Sequence, residues 1–136
     1  MLLAGNIAGM GHYISNLRDI QFNLFDLLGR GEVLEKGAFA EIDRDTANGM
    51  LDEVKRMAEN DLAESFVEGD RLGVDFNPAT GDAKLPESFK KSYRAYMDGE
   101  WWRIDIPAEL GGTVIPPSLR WAIAEMVLGS NPAIHI

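Results

Sequence analysis

A mainly α-helical, bundle-like domain with one small β-hairpin near residues 74–85 is the fold class this sequence predicts. Three observations carry the prediction. Apolar residues recur at i, i+3 and i+4 along several stretches, the spacing of helices that bury one face. Glycine and proline mark most ends of those stretches, where a helix needs a stop or a first turn. Only one segment has short apolar pieces around a Pro-Gly turn, which is what a hairpin requires.

The opening residues 1–9, MLLAGNIAG, are too short and uncharged for a signal peptide and are expected to form a flexible arm. Met10 is followed at once by patterned sequence. Asn16 is placed to cap a first helix, with Asp19 in the first turn where the helix dipole favours an anion. Leu17, Ile20, Leu24, Leu27 and Leu28 mark its inner face, Phe22 and Phe25 widen the apolar surface, and Gly29 ends it. So apolar a helix is expected to bury more than one side or to dock on another domain or subunit. Residues 29–44 read as irregular. Asp43 or Asp45 should cap a second helix running to about Phe66, with Met50, Leu51, Val54, Met57, Ala58, Leu62 and Phe66 inward. After the hairpin, Pro86 opens a helix whose Phe89, Tyr93, Tyr96 and Met97 share a face, and Gly99 stops it.

The stretch Gly99–Pro117, GEWWRIDIPAELGGTVIPP, reads as an ordered connector rather than a solvent loop. Trp101 and Trp102 are too apolar to leave in water, and Gly111-Gly112 supplies a positive φ or a close backbone approach. Pro117 suits the first turn of the next helix, whose inward residues are Leu119, Ala122, Ile123, Met126 and Val127. Asn131-Pro132 then reads as the cap and first residue of a further helix. With only Pro132–Ile136 remaining, the expectation is a truncated element.

Composition narrows the function. The 136 residues suit one domain with a real core, and the absence of cysteine removes disulfides and thiolate metal sites and fits a cytoplasmic location. A formal charge of −9, from 22 acidic against 13 basic side chains, argues against nucleic acid and anionic membrane surfaces. No apolar run approaches the roughly 18 residues of a membrane span.

No motif of catalysis or ligation survives inspection. His12 and His135 are the only histidines, and neither has a metal-spaced partner. Asp43-Arg44-Asp45 opens like a calcium loop, but Ala47, Asn48 and Val54 occupy its fifth, sixth and twelfth positions. Gly9-Met10-Gly11 and Gly29-Arg30-Gly31 lack the third glycine of a dinucleotide fingerprint, and there is no phosphate loop or nucleophile elbow. Catalytic, cofactor-binding and metal residues are therefore expected to be absent.

Three blocks in order, GHYISNLRDIQFNLFDLLG, AESFVEGDR and LPESFKKSYRAYMDGEWWRIDIPAELGGTVIPPSLRWAIAEMVLGSNPA, resemble the N-terminal helical domain of the acyl-CoA dehydrogenases. The leading block is similar to a long-form actinobacterial branch, and Ile106-Pro107-Ala108-Glu109-Leu110-Gly111-Gly112 with Asn131-Pro132-Ala133 carries the widest family motif. The resemblance covers residues 10–136 and supports Met10 as the start.

That likeness implies an FAD-dependent enzyme of fatty acid β-oxidation that dehydrogenates acyl-CoA thioesters between Cα and Cβ. It further implies that the catalytic base and most flavin contacts belong to a middle β-domain and a C-terminal helical domain, both outside these 136 residues. Glu109 is then a turn residue. The segment after the Asn-Pro cap, Ile134, His135 and Ile136, is implied to wall the acyl pocket. The chain alone is expected to be inactive and flavin-free, with homo-oligomer contacts through apolar helix faces. The alternative is a non-enzymatic helical interaction module, or a subunit of a split dehydrogenase that acts through a partner chain.

Overall fold

The computed structural model describes residues 11–136, so the expected arm at 1–9 lies outside the described residues. It is helical as expected, with one two-stranded antiparallel sheet. The helices are α1 (Leu17–Gln21), α2 (Arg44–Met57), α3 (Phe66–Leu72), α4 (Glu87–Asp98), α5 (Pro117–Ser130) and α6 (Pro132–His135). The strands β1 (Asp75–Asn77) and β2 (Asp82–Lys84) pair Asp75 with Lys84 and Asn77 with Asp82. Gly81 turns the hairpin at φ +77, and the Asn77 side chain accepts from the Ala79 amide at 3.0 Å.

The core joins α2 to α5. Leu51, Val54 and Met57 on α2 and Ile123, Met126 and Val127 on α5 are almost fully buried, and Tyr96 of α4 and Ile115 close the sides. Each such apolar side chain contributes roughly 1.5–3 kcal/mol on leaving water. The wide apolar face of α5 follows from its composition: it is buried on Leu119, Ala122, Ile123 and Ala124 as well as on Met126 and Val127.

The first helix departs from the expected pattern. Asn16 stands at its N-cap, but its amide donates to the Asp19 carboxylate at 2.5 Å instead of accepting from the backbone. After Gln21 the chain widens to π-helical turns over Phe22–Leu27, with the Leu28 amide reaching the Asn23 carbonyl at 3.0 Å. The wider pitch rotates Leu27 and Leu28 outward, 65% and 59% exposed, and carries Phe25 inward beside Ile20 and Leu24. Leu27 and Leu28 are therefore not core residues. Gly29 closes the helix at φ +59, as expected of a C-terminal glycine.

Helix α2 also changes pitch instead of ending near Phe66. It becomes π-helical over Ala58–Leu62, tightens to a 3₁₀ turn over Ala63–Ser65, and resumes as α3 to Leu72. The irregular stretch finds its partners elsewhere in the fold. The Ala58 carbonyl accepts from Ser130 Oγ at 2.5 Å, Asp61 from Ser92 Oγ at 2.6 Å, and Leu62 from Asn131 Nδ2 at 3.2 Å. Those side chains come from α5, α4 and the junction before α6, so the change of pitch is tied down by tertiary contacts.

Asp43 is the cap of α2, with its Oδ1 accepting from the Thr46 amide at 2.6 Å. Hydrogen bonding to Thr46, through its side chain first and its amide second, holds the carboxyl below the usual carboxylate range. A depressed folded value means the unfolded chain binds the proton more readily, so the cap's stabilisation is complete above the ordinary range and lost as pH falls below about 4. Asp43→Asn keeps an accepting oxygen that does not titrate. Acid unfolding followed by circular dichroism should show a smaller loss of stability below that pH for Asp43→Asn than for the native chain.

Gly99 caps α4 with an ordinary right-handed φ of −73, so it does not end the helix by a left-handed turn. Glu100 takes that conformation at φ +57. Gly99 serves space instead. A Cβ there would lie 2.9 Å from the Trp101 indole. The connector is ordered, as expected, through 3₁₀ turns at Trp101–Asp105 and Ala108–Leu110, and Trp101, Trp102 and Ile104 pack half-buried on the core. Gly111 supplies the positive φ, +84, and Gly112 supplies the close approach, because a Cβ on it would fall within the Ile106 carbonyl group. Pro117 opens α5 as expected.

Candidate functional site

An apolar cleft of about 290 Å³ lies where α3, the foot of the hairpin, the start of α4 and the start of α6 meet. Its walls include Phe66 and Gly69 of α3, Val74, Leu85, Phe89 of α4, and Pro132 and Ala133. The helix continues past Phe66 through Gly69, which packs beside Phe89: a Cβ on it would stand 4.0 Å from that ring, in ordinary van der Waals contact. Pro132 occupies the first turn of α6, where its missing N–H costs nothing.

The polar part of the cleft is its floor. Asn131 and Ser65 are 2% and 1% exposed, and Asn131 Nδ2 donates to Ser65 Oγ at 3.0 Å as well as to the Leu62 carbonyl. These bonds fix the angle at which α6 leaves α5. Lys91 of α4 pairs with Glu64 at 2.7 Å, an exposed pair that holds the ammonium above its usual range and adds little to stability.

His12 has a structural role. Its Nε2 lies 2.7 Å from the Ser130 carbonyl oxygen and its ring stacks on Phe66 at 4.3 Å between centroids. It thus ties residues 11–16 across the end of α5. No group of three His, Asp or Glu side chains is placed to hold a metal among the described residues.

The structure separates the three residues expected to form an acyl wall. Ile134 is buried in the core, His135 is half-buried, and Ile136 is 99% exposed. The residues that line the cleft are the three just before them, Asn131, Pro132 and Ala133. Sequence reasoning also missed Phe66, Gly69 and Phe89 as cleft residues. The available signal was the small-residue series Ser65, Gly69 and Gly73 at a four-residue interval, which leaves one side of α3 bare.

Such a cleft can hold a short aliphatic or otherwise apolar group. It has no acid–base pair, and its only charged lining residue is Asp70. FAD would need cationic or amide donors for its pyrophosphate, and this cleft presents no Lys or Arg. A second hollow does include Arg18 and Arg44, but it shares them with Asp26, and Arg44 is stacked on the Phe25 ring at 3.8 Å. Neither of these two hollows fits a flavin site by itself.

No protein-family model matches the chain. Over 125 residues, 92% of its length, it is 50% identical to a broad-specificity linear acyl-CoA dehydrogenase of Mycobacterium tuberculosis. This chain belongs to the acyl-CoA dehydrogenase family. Over 115 residues, 85% of its length, it is also 30% identical to a 3-methylmercaptopropionyl-CoA dehydrogenase of Ruegeria pomeroyi. The chain spans about a fifth of either relative, 20% and 19% of their lengths. Its helical fold agrees with that of the family's N-terminal domain. Among the described residues, no helix is long and apolar enough to cross a membrane.

Proposed function

We propose that residues 10–136 form the N-terminal helical domain of an FAD-dependent acyl-CoA dehydrogenase of the cytoplasm, and that their part in the enzyme is to wall the acyl-chain pocket. The identity of 50% across 92% of the chain carries this reading. The flavin chemistry of such an enzyme is not supplied by the present residues. Their own task is apolar enclosure. Phe66, Phe89, Pro132 and Ala133 offer a dry surface to an aliphatic tail, and the Asn131 bonds hold α6 at its angle. Ile134 anchors that short helix in the core, while half-buried His135 and exposed Ile136 are the faces we assign to the pocket wall. The exposed side chains of Phe22 and Leu27 are where we place homo-oligomer contacts.

The reading makes the chain silent on its own. Purified chain, given acyl-CoA thioesters and an artificial electron acceptor, should show no acyl-CoA-dependent reduction, and its absorbance spectrum should lack flavin bands. Turnover, or a yellow protein, would overturn it.

A further inference from the structure

A groove of about 580 Å³, sharing no lining residue with the apolar cleft, runs between residues 13–16, the first helix with its π-helical continuation, and α5. Ile20, Leu24 and Ala122 form a buried apolar floor. Ile14, Leu28 and Trp121 stand around it at 64%, 59% and 61% exposure. Single exposed apolar residues are ordinary, but three large ones around one hollow mark a surface that meets something, and tryptophan is the side chain most enriched at binding hot spots.

The rim has one sign of charge. Asp19 and Glu125 line it, no Lys or Arg does, and neither carboxylate forms an ion pair among the described residues. Arg120 has its guanidinium 5.6 Å from the Trp121 ring centroid and is engaged by Asp105 on another element. Tyr13 seals one end by laying its ring on Gly129, where a Cβ would meet it at 2.6 Å.

We propose that this groove docks an amphipathic segment of another polypeptide, one that presents a row of apolar side chains flanked by Lys or Arg. Charge selects this occupant over a second copy and over residues 1–10. A segment of the enzyme beyond these 136 residues is an outcome of the test, because a longer chain that no longer binds the lysine-flanked peptide would assign the groove to it and overturn the proposal. A second copy of this chain carries a formal charge of −9, so its approach to an acidic rim is opposed. The chain's own residues 1–10, MLLAGNIAGM, have apolar side chains but no Lys or Arg to meet Asp19 and Glu125. A basic-flanked segment satisfies both floor and rim.

The test uses the intact chain and two synthetic helical peptides with the same leucine face, one flanked by lysines and one by glutamates. Binding is read by fluorescence anisotropy of a dye on the peptide. The lysine-flanked peptide should bind roughly three- to ten-fold tighter than its glutamate twin at low salt, with the difference shrinking as ionic strength rises. Trp121→Ala should weaken both peptides alike, and circular dichroism should show the fold unchanged because that side chain is mostly exposed. The double reversal Asp19→Lys with Glu125→Lys should exchange the preference. Equal binding of the two peptides that ignores the reversal would overturn the proposal. So would concentration-dependent self-association abolished by Trp121→Ala, which assigns the groove to a second copy. Tighter binding on deletion of residues 2–9 would overturn it as well, since it shows the chain's own start to be the occupant.

Discussion

Gly112→Ala is expected to destabilise the domain by about 3 kcal/mol or more, a large part of the roughly 5–15 kcal/mol that holds a domain folded. The added methyl would fall within the Ile106 carbonyl group and 2.9 Å from the Pro107 carbonyl oxygen. Both obstacles are backbone, so no side chain can rotate to make room. The same turn is closed by the Gly112 amide on the Pro107 carbonyl at 3.1 Å and by the Thr113 amide on the Arg103 carbonyl at 2.9 Å. Relieving the clash must break those bonds and release Ile115 and Pro116 from the start of α5. Gly111→Ala is the control. Its φ of +84 disfavours a side chain, but no atom stands within 4 Å of the added methyl, so the loss should be nearer the ~1–2 kcal/mol of a left-handed residue. Urea unfolding of the two variants should rank Gly112→Ala well below Gly111→Ala, and equal losses would contradict the close approach.

Leu51→Ala should cost about 2–5 kcal/mol, while Leu27→Ala should change stability by no more than about 0.5 kcal/mol. Both are leucines in helical segments with apolar periodicity, yet Leu51 is 0% exposed and Leu27 is 65% exposed. Truncating Leu51 leaves a cavity in the packed layer between α2 and α5, and the neighbours there collapse only partly. Truncating Leu27 removes surface that water already touches. Denaturant midpoints at constant slope separate the two outcomes. A large loss at Leu27 in the lone chain would mean that the helix keeps regular pitch in solution and turns that residue inward.

The contrast between those leucines shows what periodicity can carry. In α5 the five inward positions expected from spacing, Leu119, Ala122, Ile123, Met126 and Val127, are all buried, because they lie in a helix of regular pitch between a proline and a cap residue. In the first helix the same reasoning misplaced Leu27 and Leu28, because a π-helical turn advances the face by an extra residue and no composition signal announces it. The connector was legible for a different reason. A Gly-Gly pair beside apolar residues and ahead of Pro-Pro has few explanations, and one glycine supplies the φ while the other supplies the approach.

The cleft was legible only in part. The Asn-Pro junction marked one wall of the cleft, which Asn131, Pro132 and Ala133 line. The opposite wall, Phe66, Gly69 and Phe89, comes from segments that nothing in local spacing brings together.

By itself, then, the sequence determined the helical class, the hairpin, an aspartate cap at Asp43 or Asp45, Pro117 as the opening of α5, the ordered connector and the family. Each depends on residues within a few positions of one another, or on motif order along the chain. The tertiary structure alone decided the pitch of residues 58–65, the outward turn of Leu27 and Leu28, and the residues that line the two hollows. The reason is the same in each case. The Ala58, Asp61 and Leu62 carbonyls find partners on Ser130, Ser92 and Asn131, which are distant in sequence, and a hollow is the space left once such distant groups have met.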